Sequence, residues 1–150
     1  MNAYFDTGVL VKNYSFEQNS EDAISLILAE ATPLPLTPLQ EAEMRNSFRL
    51  KVFRKEANLA TMQVSLSLLE DDLRQGRLER SAYDVREIYR RAETLSRLHT
   101  STTGARMLDI LHIAAALEIG AVRFVSFDLR QRAVAQKAGL RVLPRTLNPP

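Results

Sequence analysis

The chain has 150 residues, of which 45% are apolar and 25% charged, and its formal net charge is +2. This length and composition predict one folded domain that buries about 68–70% of its unfolded surface, and they exclude a disordered or collagen-like chain. Because the sequence contains no cysteine, disulfides, thiolate zinc sites and a cysteine nucleophile are excluded.

The first half of the chain predicts two short strands and three helices. Ser20, followed by Glu21 and Asp22, is typical of a helix N-cap with acids in the first turn. In chain order the expected elements are a strand over 3–6, a helix around 9–11, a helix over 20–31, a strand over 34–36 and a long helix over 38–76.

The second half predicts three helices and two strands. Ser81 is expected to cap a helix that ends near residue 98. The next helix, 107–119, is markedly apolar and stops at Gly120, which is the preferred residue just past a helix end. The remaining elements are a strand over 122–127, a helix from Asp128 to Gly139 and a strand over 141–143.

Strands and helices alternate at both ends of the chain, around a helical middle block. Short strands joined by helical crossovers predict a parallel sheet covered on both faces, and therefore a three-layer α/β sandwich over residues 1–150. In such sheets ligands bind at the carboxyl ends of the strands.

Acidic residues occupy the positions that this rule singles out. Asp6 and Asp128 each follow a predicted strand and precede a helix, where an N-cap is the alternative role. Asp109 lies in the apolar helix, and a buried carboxylate is costly unless a cation or hydrogen bonds compensate it. A first-turn acid favoured by the helix dipole is the other interpretation. His112 could lie beside Asp109 or belong to the core.

Glu41 and Glu43 lie near the start of the helix after Pro38, where a surface acid is the ordinary expectation, and chemistry alone does not choose between them. If these acids converge, the repulsion between neighbouring carboxylates has to be offset by cations. Hard oxygen ligands favour Mg²⁺ or Mn²⁺.

Four segments give the chain a resemblance, over nearly its whole length, to the PIN-domain nucleases and among them the VapC-type ribonuclease toxins. They are FDTGVLVKNY, TPLQEAEMRN, RMLDILHIAAALEIGA and FVSFDLRQRAVAQKAGLRVLP. The resemblance selects Glu43 over Glu41. It assigns metal binding and catalysis to four acids: Asp6, Glu43, Asp109 and Asp128.

The resemblance implies a PIN-like fold and a Mg²⁺- or Mn²⁺-dependent endoribonuclease that cleaves RNA with a metal-activated water. Thr7 and Ser126 are expected to hold acids or the scissile phosphate, although the family pattern usually has Thr where this chain has Ser126. Arg45 and Arg106 are candidate phosphate contacts, with a solvated or structural role as the alternative. A cognate antitoxin protein and a homodimer are the implied protein partners.

Other functions fit the sequence less well. The alternative is a PIN-fold binding or regulatory module that acts through a protein partner with little or no turnover, and the complete set of four acids argues against it. Residues 6–8 spell the aspartic-protease triplet Asp-Thr-Gly, but that class needs a mostly β chain. A dehalogenase-like phosphatase would need an acid where Gly8 stands.

The sequence predicts a cytoplasmic protein with no membrane partner. Its longest apolar run, 113–117, is far shorter than the roughly 18 residues that span a bilayer. The N-terminus, MNAYFDTG, lacks the basic start and apolar stretch of a signal peptide.

Overall fold

The computed structural model describes residues 3–31 and 33–148. Contacts divide them into two compact units, 3–6 with 81–148 and 7–80, and the single domain predicted over 1–150 stays a prediction. In chain order the elements are β1 (Ala3–Phe5), α1 (Thr7–Tyr14), α2 (Ser20–Leu28), β2 (Leu34–Leu36), α3 (Pro38–Phe53), α4 (Leu59–Arg74), β3 (Leu78–Arg80), α5 (Val85–Thr103), α6 (Met107–Glu118), β4 (Arg123–Val125), α7 (Leu129–Lys137) and β5 (Arg141–Leu143).

The unit that contains both chain ends is built on a three-stranded parallel sheet in the order β1-β4-β5. Phe5 pairs with Val125, and Val125 pairs with Leu143, so the three strands end level. Tyr4 and Phe124 stack inside the core with ring centroids 5.6 Å apart. The residues that follow the strands therefore emerge side by side at one edge of the sheet.

Helices α5, α6 and α7 pack on one another in this unit, and α6 is buried along most of its length. That burial explains the apolar sequence of α6, and Gly120 has the expected left-handed conformation with φ 74°. The predictions for α6, α7 and β5 are confirmed to within two residues at each end.

The other unit contains α1 to α4 and a two-stranded parallel sheet of β2 and β3, with Leu34 beside Leu78. The prediction of one long helix over 38–76 is wrong. The helix is interrupted after Phe53, where Lys55 has φ 61°, and Asn58 caps α4 by accepting a 2.8 Å hydrogen bond from the Thr61 N–H. No proline or glycine marks this interruption in the sequence, and β3, with only Leu78 buried, was not predicted.

Two predicted N-caps are also wrong. Asn19 holds the cap position of α2 with φ 66°, while the Ser20 hydroxyl accepts a 2.8 Å hydrogen bond from the Glu17 N–H. Asp84, not Ser81, caps α5, and its side chain accepts hydrogen bonds from the Arg86 and Glu87 N–H groups. At α5 the reason is reach, since a capping oxygen must contact free N–H groups of the first turn. Asn19 makes no side-chain capping hydrogen bond, and the Ser20 hydroxyl lies inside α2, where it bonds back to Glu17.

The other strand and helix boundaries differ by a few residues. Helix α5 runs to Thr103, beyond the predicted end near residue 98, and α2 stops at Leu28, before the predicted residue 31. Strand β4 is shorter than the predicted 122–127. No helix within the described residues is long and apolar enough to cross a membrane.

Candidate active site

Asp6 lies at the carboxyl edge of the three-stranded sheet. Its backbone N–H continues the strand pairing by donating to the Val125 carbonyl at 2.8 Å. Its half-buried carboxylate accepts a 3.1 Å hydrogen bond from the Gln131 side-chain amide. The end of β1 thus presents the carboxylate where the fold rule for parallel sheets predicts a ligand.

Asp128 follows β4 at the same edge and caps α7, its Oδ1 accepting a 2.8 Å hydrogen bond from the Gln131 N–H. The buried Ser126 hydroxyl donates to Gln131 Oε1 at 2.7 Å and accepts from the Asp128 N–H at 3.0 Å. Gln131 therefore connects Asp6 to the loop that carries Asp128. The N-cap role holds, and it uses only one of the two carboxylate oxygens.

Asp109, half-buried in the first turn of α6, accepts a 3.2 Å hydrogen bond on Oδ2 from the Arg106 N–H. It shares a cleft of about 530 Å³ with Asp128. This space, called the acid cleft below, is lined by Arg106, Asp109, Phe127, Asp128, Leu129 and Arg130. The structure thus brings two predicted acids into one cleft, with the predicted phosphate contact Arg106 on its wall.

His112 is buried in the core, where its Nδ1 lies 2.7 Å from the Tyr4 hydroxyl. One of its ring nitrogens also lies within 4.8 Å of an Asp6 carboxylate oxygen. Asp6 follows β1 and lies two residues after Tyr4, and residues at this spacing share a face of an extended chain. The sequence left open whether His112 belongs to the core or lies beside Asp109; the structure buries it and pairs its Nδ1 with Tyr4.

Three predicted residues lie in the other unit. Glu43 is half-buried on α3, and Thr7 is buried at the start of α1. The Arg45 guanidinium is paired with Glu41, at 2.9 Å, and with Glu70. These ion pairs favour the structural role that the sequence left open for Arg45.

Glu41 is fully engaged in the same group of ion pairs. Arg80 donates to both of its carboxylate oxygens at 2.9 Å, and Arg45 donates to Oε1. Hydrogen bonds from Arg80, and then from Arg45, lower the pKa of Glu41 to about 2. The ion pairs give Glu41 a structural role, and the assignment of Glu43 to the site stays a prediction of the resemblance.

Comparison with known proteins identifies the fold. No family model and no curated protein sequence matches the chain. A chain in the crystal structure of VapBC2 from Rickettsia felis bound to a DNA fragment from the promoter matches with a TM-score of 0.63 and 15% identity, over 95% of this chain and 97% of that one. A chain of FitAcB from Neisseria gonorrhoeae matches with a TM-score of 0.63 and 18% identity, over 95% and 96%. The chain therefore has the PIN-like α/β fold that its sequence resemblance predicts.

Proposed function

We propose that the chain is a Mg²⁺- or Mn²⁺-dependent endoribonuclease and the toxin of a toxin–antitoxin pair. The observation that carries the proposal is the acid cleft, in which Asp109 and Asp128 face the same space. Asp6 is held at the neighbouring strand end through Gln131. The sequence resemblance adds Glu43 as the fourth acid.

The oxygen atoms of the acid cleft suit a divalent cation. The Arg106 N–H bonds to Oδ2 of Asp109, and the Gln131 N–H bonds to Oδ1 of Asp128. Within the described residues, the other oxygen of each carboxylate accepts no hydrogen bond. Carboxylate oxygens are the ligands that Mg²⁺ and Mn²⁺ prefer. When bound, such a cation lowers the pKa of water and stabilises the charge that develops on the phosphate.

Each residue of the proposed site has a distinct role. Asp6, Asp109 and Asp128 hold the cation, and Glu43 either binds it or orients the attacking water. Ser126 and Gln131 position two of these acids through their hydrogen bonds. The exposed Arg106 contacts a phosphate of the RNA.

A protein partner is part of this proposal. The likeness to a chain of VapBC2 supports a cognate antitoxin. The sequence resemblance adds a homodimer, and the cytoplasmic location rests on the sequence alone. An antitoxin arginine that enters the acid cleft would form charge-assisted hydrogen bonds with the same carboxylates that hold the cation.

The test is cleavage of a total-RNA pool by the purified chain with Mg²⁺, Mn²⁺ or a chelator. Asp6→Asn and Asp109→Asn are expected to abolish the metal-dependent fragments. Asp84→Asn is the matched control, since Asp84 is an exposed acid that caps α5 and Asn caps equally well.

If the wild type and the two cleft variants behave alike with every ion, the nuclease proposal is contradicted. The PIN-fold binding module then becomes the leading function, and partner capture with the wild type becomes the next experiment.

A further inference from the structure

A second cleft, of about 470 Å³, lies between α7 and β5. It is called the basic cleft below, and it is lined by Leu129, Arg132, Ala133, Gln136, Leu140, Arg141, Val142 and Arg145. Three of these residues are arginines and none is an acid. The cleft therefore has a positively charged lining.

Arg132 is the inner arginine of the basic cleft and has a structural role. Its guanidinium donates to the carbonyl oxygens of Ser126, at 2.8 Å, Leu143, at 3.1 Å, and Pro144, at 2.7 Å. These carbonyl oxygens accept hydrogen bonds from the guanidinium without neutralising its charge. Partial burial lowers the pKa of the guanidinium. Arg132 thus fixes both strand ends and leaves a net positive charge at the inner end of the cleft.

Arg141 and Arg145 form the exposed part of the basic cleft. Within the described part of the chain neither forms an ion pair, whereas Arg90 and Arg91 on α5 are both paired with Glu87. Positive charge is also concentrated in the C-terminal part of the sequence. Residues 119–148 contain six basic residues and a single acid, Asp128, although the whole chain is only +2.

The basic cleft adjoins the acid cleft at one residue. The exposed Leu129 lines both of them, because it follows Asp128 at the start of α7. Arg106 and Arg130 line the acid cleft and form no ion pair with the described residues. An RNA strand that crosses Leu129 from the acid cleft would therefore reach the basic cleft.

We propose that the basic cleft binds the sugar-phosphate backbone of single-stranded RNA next to the nucleotide held in the acid cleft, with Arg141 and Arg145 as phosphate contacts. The proposal rests on the proposed ribonuclease function. Contacts to phosphates position a nucleic acid without reading its sequence. The cleft therefore sets the register of the strand and leaves the choice of bases to other residues.

The test is the salt dependence of binding to a labelled single-stranded RNA of mixed sequence, measured in chelator so that no cleavage occurs. Wild type is compared with the double variant Arg141→Gln/Arg145→Gln. The matched control is Arg86→Gln/Arg97→Gln, two exposed arginines of α5 with no ion pair among the described residues. Both double variants remove two positive charges from the same unit.

We expect the Arg141/Arg145 variant to bind every RNA sequence more weakly by a similar factor. The slope of log affinity against log salt should fall by about 0.7 for each phosphate that the variant no longer neutralises, or about 1.4 in total. The Arg86/Arg97 variant should keep the wild-type slope.

An unchanged slope in the Arg141/Arg145 variant overturns the proposal, and so does an equal fall in both double variants. A weakening confined to duplex DNA or to an acidic peptide also overturns it, and assigns the cleft to that ligand. Failure of the ribonuclease function is distinguishable: the wild type would then bind RNA in chelator but release no fragments when Mg²⁺ or Mn²⁺ is added.

Discussion

Ser126 shows how one buried hydroxyl can determine the position of two acids. It bonds both to the Asp128 N–H and to the side chain of Gln131, which holds Asp6. Its place before the last acid was visible in the sequence. Gln131 was not predicted, because its contact with Asp6 joins residues 125 positions apart. The Tyr4–His112 contact spans 108 positions and was invisible for the same reason.

Ser126→Ala is therefore expected to lower the free energy of unfolding of the metal-free protein by about 1–3 kcal/mol, since it leaves the buried Gln131 side-chain oxygen and the part-buried Asp128 N–H without their partner. Urea unfolding in chelator measures this decrease. Ser67→Ala, at an exposed position of α4, is the control and should stay within about 0.5 kcal/mol of wild type. Equal stability of the Ser126→Ala protein would show that the hydroxyl is dispensable for the loop.

At the scale of helices and strands, Glu41 links three elements. It lies on α3, pairs with Arg80 at the end of β3, and shares Arg45 with Glu70 of α4. Its pKa is lowered from 4.5 to about 2 by hydrogen bonds from Arg80 and Arg45. A lowered pKa means that the folded state favours the ionised form. The stabilisation is therefore present above the unfolded-state pKa and is lost as pH falls toward the folded-state value.

The thermal midpoint of the wild type should consequently fall more steeply than that of Glu41→Gln between about pH 5 and pH 2. Unfolding followed by circular dichroism across this range measures both slopes. Glu93→Gln, at an exposed position of α5, should keep the wild-type slope. Parallel curves for wild type and Glu41→Gln would mean that the ion pairs do not contribute to folding in this range.

The interruption between α3 and α4 is the largest error in the predicted elements. Residues 54–58 contain no proline or glycine, and the turn depends on the left-handed backbone of Lys55, φ 61°, which an ordinary side chain disfavours. Lys55→Gly should therefore raise the free energy of unfolding by up to about 1 kcal/mol. Urea unfolding measures the change, and Lys55→Ala is the control, because it removes the same charge and keeps the Cβ. A gain in both variants would assign the effect to charge instead of backbone conformation.

For the molecule as a whole, the sequence correctly predicted the α/β class, the strands that precede Asp6 and Asp128, and the apolar helix that contains Asp109, because these are local patterns. The catalytic role of the three acids stays a prediction. The sequence did not reveal that the strands form two sheets, since pairing depends on contacts between distant segments. The net charge of the chain also hides how unevenly its charges are distributed. A total of +2 conceals the basic region from 119 to 148.

Cation binding provides the last prediction, at the level of global stability. A ligand that binds only the folded state stabilises it by about 2.7 kcal/mol at a concentration of 100 times its Kd. Mn²⁺ should therefore raise the thermal midpoint of the wild type and of Asp84→Asn, but much less that of Asp109→Asn. Without metal, Asp109→Asn should be at least as stable as wild type, because it relieves repulsion between carboxylates. The amide oxygen of Asn can still accept the Arg106 N–H. Marked unfolding of metal-free Asp109→Asn would instead show that the carboxylate serves the first turn of α6, as the helix-dipole interpretation holds.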